Sequence, residues 1–528
     1  MSSINEFFIH LATTSYSLFF AFGIITSIIL WRFMWRESRL PLPPGPSTNV
    51  GLSGVSKPLI THKNPWIQYA SWKDLYGPVS YYSLGKTRVL ILNTSTAATS
   101  LLEKRGKIYS DRPSTVMFGQ LIGQDQQFFR TSDKNPRFGI YRKMFKDEFG
   151  KKGVLGHVAV QENERDFYLR NLSVDPKGFR KHIKRYAVAV IMKIAYGYSV
   201  TEDNDRFVAL VDSWLEHTNA HNTKPAQWSV DSYPFLKYLP RWFPGTSFFK
   251  FADDQRARNR ELLGAPVEWV KEEMKAGRAC SSFVERMYRR GTDGVLSAEE
   301  EDVVQNVAGA MYLGGADTTL SALMTFILMM ARNPSVQQKA VEEIENVIGS
   351  DRLPEVGDME KLPYVNALIK EVLRFHPVAP LALPHRVTQD DEYEGMRIPG
   401  GSTVIVNLWS ILHDESTYPD PMKFSPERYL PSDSSSSTNS TKTPQPDPRA
   451  YAFGIGRRLC PGMHLAEISL FLIISSTLAM FDISRAKDAN GKEIEPKMEF
   501  KNGVVSVAEE FECEIRLREG RKAELWTV

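Results

Sequence analysis

Two short stretches of this chain carry residue types at spacings that could do chemistry. In YAFGIGRRLCPGMHLAE (Tyr451 to Glu467) a single cysteine, Cys460, sits among Gly454, Gly456 and Gly462 and beside Arg457 and Arg458. A cysteine so placed could fill core space, form half of a disulfide, act as a nucleophile or bind a metal. It is one of three in 528 residues, far from Cys280 and Cys513, which makes no disulfide framework. A buried thiol stays protonated unless something holds its anion. Here the glycines allow a tight turn that brings bare backbone N–H groups to the sulfur. The run MHLAEISLFLIISSTLAM predicts a helix whose positive end faces it. A plain core cysteine explains neither the three glycines nor the paired arginines.

The second stretch is GGADTT (Gly314 to Thr319), in the middle of the segment from Ser297 to Arg332. Ser297 and Glu300 predict a capping box, and Asn333-Pro334 predicts the end of the helix. Its apolar residues lie all round, the pattern of a helix buried at the centre of a protein. Two glycines and a carboxylate are poor choices for such a helix, and Asp317 at mid-span argues against a second transmembrane segment. A third pattern, Glu371 and Arg374 in KEVLRF, puts opposite charges on one helix face, which alone is usually a weak surface pair.

Phe453, Gly456, Arg458, Cys460 and Gly462 together resemble the haem-binding loop of the cytochrome P-450 superfamily, the haem-thiolate monooxygenases. The resemblance implies that Cys460 is the axial iron ligand of haem b, in a loop shaped by Phe453, Gly454, Gly456 and Gly462, and that Arg458 meets a haem propionate. It implies that GGADTT crosses the haem, the glycines making room for O2 and Asp317 with Thr318 relaying the two protons that its reduction needs. Glu371 and Arg374 would form a buried structural pair completed by Arg428 of FSPERYL. In PHRVTQDDEYEGMRIPGGS, His385 would lie near a propionate. RFGIYRK is similar to the helix where a Trp, and an Arg four residues later, hold propionates. Here Phe138 replaces the Trp, so only Arg142 carries over. The resemblance spans nearly the whole chain from Pro41.

The elements that must position these groups read as α+β, mainly α. YGPVSYYSLGKTRVLILNTS (Tyr76 to Ser95) predicts two strands around a Gly-Lys turn, strands return in YEGMRIPGGSTVIVNLW and FECEIRL, and helices dominate between. The net charge of +3 is nearly neutral for this length and argues against a nucleic-acid partner found by overall charge.

From Phe7 to Trp31 the only titratable groups are His10 and Tyr16, a stretch long enough to cross a bilayer, which takes about 20 residues. Arg32, Arg36 and Arg39 follow, so the positive-inside rule puts the remainder in the cytosol. The expected organisation is a single-pass anchor (1–40) in the endoplasmic reticulum membrane, then a catalytic domain (41–528) with a flexible Ser/Pro-rich insert (431–448). The stiff PLPPGPS run would be a spacer. WSVDSYPFLKYLPRWFPG (Trp228 to Gly245) reads either as a packed loop or as a second membrane-dipping surface.

By resemblance, the expected activity is insertion of one atom of O2 into a C–H or C=C bond of a lipophilic substrate. Electrons would come from NADPH through a separate NADPH-cytochrome reductase, with cytochrome b5 as a further partner, docked near Lys143, Lys146, Arg449 and Arg457. The pocket would be lined by the Pro113 to Asn135 loop, the helix before Gly314, HPVAPLALP (His376 to Pro384) and the turn at Gly503 to Val505. The layout resembles fungal microsomal members of secondary metabolism. Two alternatives are a haem-thiolate isomerase or dehydratase that does not activate O2, and a haem-binding relative without turnover.

Overall fold

The computed structural model describes residues 24–27, 40–46, 60–84, 87–200, 205–222, 228–291, 294–431 and 443–521. The anchor expected over 7–31 lies outside them apart from one helical turn at 24–27, as does most of the insert. The chain divides into a small unit, Met1–Pro43 with Asp390–Gly400, and a large one, Pro44–Gln389 with Gly401–Val528.

The helices of eight residues or more are α1 (Pro65–Tyr76), α2 (Pro136–Phe149), α3 (Val158–Val174), α4 (Phe179–Tyr196), α5 (Arg206–Asn222), α6 (Phe248–Lys275), α7 (Phe283–Arg290), α8 (Ala298–Arg332), α9 (Pro334–Val347), α10 (Pro363–Phe375) and α11 (Met463–Met480). The strands are β1 (Val79–Leu84), β2 (Thr87–Leu92), β3 (His385–Arg386), β4 (Asp391–Tyr393), β5 (Met396–Ile398), β6 (Thr403–Val406), β7 (Phe481–Lys487), β8 (Glu493–Ile494) and β9 (Cys513–Leu517).

In the large unit α8 forms the centre and packs against α4, α6 and α11. It starts where expected: Ser297 Oγ accepts the Glu300 N–H at 3.3 Å and Glu300 Oε2 accepts the Ser297 N–H at 2.9 Å. Asn333 caps its end, and Pro334 opens α9, where a missing N–H costs nothing. α8 and α11 are both long and apolar enough to cross a membrane, but most of each is buried inside the protein, so they are core helices.

One sheet runs β1-β2-β6-β3, with β2 and β6 parallel and the other pairs antiparallel. It sets His385 on β3 opposite Val404. A second sheet, β8-β7-β9, follows α11. In the small unit β4 and β5 form a hairpin through Glu394 and Gly395, both at positive φ as a two-residue hairpin turn requires. There the Pro41 carbonyl accepts the Arg397 N–H at 2.8 Å, while in the large unit Pro44 accepts from Tyr81 at 3.0 Å. Pro41 and Pro44 are thus each bonded to a strand.

Trp228 to Gly245 buries Val230 but turns Tyr233, Phe235, Tyr238, Trp242 and Phe243 outward, Trp242 being 81% exposed. The packed-loop reading describes Trp228, which stacks on Phe251 with ring centroids 4.6 Å apart, but not these five aromatic residues.

Candidate active site

The segment around Cys460 is folded by its own backbone. The Cys460 N–H donates to Phe453 O at 2.8 Å, Gly454 N–H to Tyr451 O at 2.8 Å and Leu459 N–H to Gly456 O at 3.2 Å. Gly454 (φ 89°) and Gly456 (φ 67°) take backbone conformations that side chains disfavour. A Cβ on Gly456 would stand 2.2 Å from the Leu102 carbonyl oxygen. Gly462 is different. Its φ of −89° is ordinary, it stands at the start of α11 with its N–H on the side that favours a Cys460 thiolate, and a Cβ there would lie 4.0 Å from that sulfur.

Burial pushes the Cys460 thiol up, while the Gly462 N–H and the Arg142 charge work against it. The residue keeps accessible surface, while the surrounding protein desolvates its sulfur. Arg142, on α2, is fixed by a 2.7 Å bond from Nη1 to Leu459 O, next to the cysteine.

Cations collect beside this loop. Arg458 donates from Nε to Ser110 O (2.8 Å) and from Nη2 to Thr131 O (2.7 Å), and its guanidinium stands 4.0 Å over the Phe138 ring. His385 donates Nδ1–H to Tyr109 O at 2.8 Å; the carbonyl can only accept, which fixes the tautomer. Burial, then Arg112 and Arg458, push its pKa down to about 3. With Nδ1 committed, Nε2 gives a carboxylate a hydrogen bond only when the ring is protonated.

Arg112 was not legible as a site residue from the sequence. It is 8% exposed, its Nη1 is held at 2.7 Å by both Leu383 O and Pro384 O, and its Nε has no acceptor among the described residues. Burial, then the charges of Arg458 and Arg130, bring its pKa down to about 9. The available signal was its position at the head of the Pro113 to Asn135 loop. Among the described residues Arg112, Arg142 and Arg458 are bonded to backbone carbonyls and to no carboxylate. A thiol with these cations around it fits an iron porphyrin with two propionates.

On α8, Thr318 Oγ1 donates to Gly314 O at 2.6 Å, a bond back along the helix. Asp317 is half-buried, and the two side chains are not hydrogen-bonded to each other. Burial pushes the Asp317 carboxyl up; Lys184 and Arg180 of α4 pull it down and Asp212 adds to the rise. The glycines admit neighbours: a Cβ on Gly314 would meet Phe129 at 3.4 Å, and one on Gly315 would meet Ile191 at 3.1 Å.

Glu371 and Arg374, both with 0% exposed side chains, are joined by two bonds of 2.8 Å. Arg428 Nε lies 3.4 Å from Glu371 Oε1, which also accepts the Ser425 N–H at 2.9 Å. Arg374 reaches on to Leu412 O (3.1 Å), and Arg428 to Asp420 O (2.6 Å) and Lys423 O (3.0 Å). The triad thus ties α10 to the 412–428 segment. Among the expected docking cations, Lys143 and Lys146 are exposed, and Arg457 is half-exposed with Asp133 at 3.8 Å. Arg449 is engaged by Asp447 (2.5 Å) and Glu467 (3.1 Å).

The sequence model of the cytochrome P450 family matches residues 43–514. The cytochrome P450 monooxygenase claR of Ampulloclitocybe clavipes is 40% identical over 96% of this chain and 91% of its own length. Cytochrome P450 monooxygenase 208 of Postia placenta is 37% identical over 96% of both chains. A tryptamine 4-monooxygenase of Psilocybe cyanescens is 34% identical over 93% of this chain and 96% of its own. Monooxygenases at this similarity do not favour an isomerase or a haem protein without turnover. The chain belongs to the cytochrome P450 family and is a haem-dependent monooxygenase.

Proposed function

We propose that this enzyme hydroxylates or epoxidises a lipophilic substrate at the endoplasmic reticulum membrane, as part of fungal secondary metabolism. NADPH supplies the electrons through a separate cytochrome reductase, with cytochrome b5 as a second donor. The observation that carries the reading is the desolvated thiol of Cys460 with three arginines about it, Arg112, Arg142 and Arg458, that bond no carboxylate among the described residues. Cys460 is the iron ligand, the Gly462 N–H and Arg142 hold its negative charge, and Arg112 and Arg458 take the propionates, with His385 beside them. Haem, when bound, activates O2 and delivers one oxygen atom to the substrate.

The remaining work belongs to the chain. Thr318 Oγ1, resting on Gly314 O, is the proton donor nearest the glycine gap, and Asp317, whose burial favours its protonated form, resupplies it. The Glu371–Arg374–Arg428 triad is structural. Lys143, Lys146 and Arg457 form the basic face for the reductase, Arg449 being spent on its own carboxylates. The uncharged 7–31 stretch anchors the chain, and the exposed aromatics from Tyr233 to Phe243 dip into the same membrane.

The test is NADPH and O2 consumption by the holoenzyme with a fungal reductase, with and without candidate substrates. Substrate-stimulated consumption with an oxygenated product is expected; product formation without O2 uptake would contradict the proposal.

A further inference from the structure

Between Phe129 and Thr131 lies a cation that haem binding and oxygen chemistry do not use. Phe129 fills the space beside Gly314 on α8, and Thr131 O holds Nη2 of Arg458. Arg130 is therefore set between the glycine gap and the propionate end. Its guanidinium makes no hydrogen bond or ion pair among the described residues. It stands 5.2 Å over the ring of Phe118, which belongs to the 116–121 turn. The carboxylate acting on it, Asp231, spends Oδ1 on the Met117 N–H at 2.9 Å. Arg130 is half-buried, and burial holds its pKa below the ordinary guanidinium value.

The same turn carries two more donors without acceptors. Gln124 and Gln127 are 2% and 8% exposed, and the side-chain N–H2 of each has no partner among the described residues. Residues 124–130 thus offer three donor side chains and receive nothing. A buried donor left unpaired costs about 1–3 kcal/mol. An all-apolar ligand would leave that cost in place, and a protonated amine would meet the charges of both Arg130 and Arg112. A carboxylate, which only accepts, satisfies a guanidinium by two parallel bonds and leaves lone pairs for an amide.

We propose that the substrate is an amphiphile bearing a carboxylate, its acid group bound by Arg130 with Gln124 and Gln127 in reach, and its apolar body running past Phe129 to Gly314. This rests on the haem monooxygenase assignment and narrows its substrate class. Arg130 is an anchoring residue: it fixes which carbon of the chain lies beside the glycine gap and takes no part in oxygen chemistry.

The experiment uses the full-length holoenzyme and two pairs of probes, dodecanoic acid with its methyl ester and indole-3-propionic acid with its methyl ester. Binding is read by equilibrium dialysis and by the Soret shift, for the native protein, Arg130→Gln and Arg130→Lys. At least one acid should bind about tenfold more tightly than its ester. Arg130→Gln should erase that preference and Arg130→Lys should keep part of it, with haem content unchanged in both. Equal affinity within both pairs, or no binding of either acid, overturns the proposal. Loss of haem in Arg130→Gln also overturns it, since Arg130 would then be a propionate residue. The carbon monoxide spectrum of the same preparations separates these outcomes from a failure of the haem-thiolate assignment itself.

Discussion

The guanidinium of Arg458 lies 4.0 Å over the ring of Phe138, while Ser110 O and Thr131 O hold its Nε and Nη2. The residue that stands in place of the expected tryptophan therefore still packs under Arg458. It supplies no N–H; it supports the arginine that supplies several. Phe128 in turn stacks on Phe138 with centroids 6.4 Å apart.

Removing that platform should loosen haem without emptying the site. A cation–π contact is worth about 1 kcal/mol, so Phe138→Leu should lose haem to an excess of apomyoglobin roughly fivefold faster. Phe138→Trp should restore or slow the native rate. An unchanged rate in Phe138→Leu would mean the stacking carries no weight.

The Glu371 pair makes a sharper demand. Arg374 is fully buried, so Glu371→Gln leaves a charge without its counterion, which costs about 3–5 kcal/mol. Its unfolding free energy should fall by that amount and the yield of holoenzyme with it. An unfolding free energy within about 1 kcal/mol of the native protein's would show that the surrounding carbonyls suffice.

Thr318→Ala should bind haem and substrate normally yet consume NADPH uncoupled, releasing hydrogen peroxide in place of product. Among the described residues its hydroxyl makes one hydrogen bond, to Gly314 O, so folding should be spared. Full coupling in this variant would remove Thr318 from proton delivery.

Two buried histidines give the stability a defined acid limb. Burial, then the Arg374 charge, push His413 down to about 3; burial, then His413, push His376 to about 3. Each takes up a proton on unfolding between its folded value and about 6.5, the value in the unfolded chain. Stability is therefore full above pH 6.5 and falls below it, by about 1.4 kcal/mol per pH unit for each group. His413→Phe keeps the stack on Trp409, now 4.2 Å between centroids, and should flatten the fall in melting temperature between pH 6.5 and 4.5. An unaltered slope would contradict this assignment.

Much of this site could be read before any coordinates. Cys460, its glycines and the capping box of α8 are local in sequence, and local hydrogen bonds decide them. The same holds for the β1–β2 hairpin. What escaped was set by contacts distant in sequence. Arg112 is a site residue because Leu383 and Pro384, some 270 residues on, enclose it. Gly462 was grouped with the turn glycines, but its φ is ordinary and its role is to give the sulfur an N–H. Asp317 and Thr318 are neighbours in sequence yet point to different partners, since successive helix residues do not share a face.

The central claim is that Cys460 presents a thiolate to haem iron, and the most direct measurement is the carbon monoxide difference spectrum of the dithionite-reduced holoenzyme beside Cys460→Ser. The native protein should show the far red-shifted Soret band that only a thiolate opposite carbon monoxide produces, and the variant should lack it. A native band at the position of histidine-ligated haem, or a red-shifted band that survives in Cys460→Ser, would contradict the account.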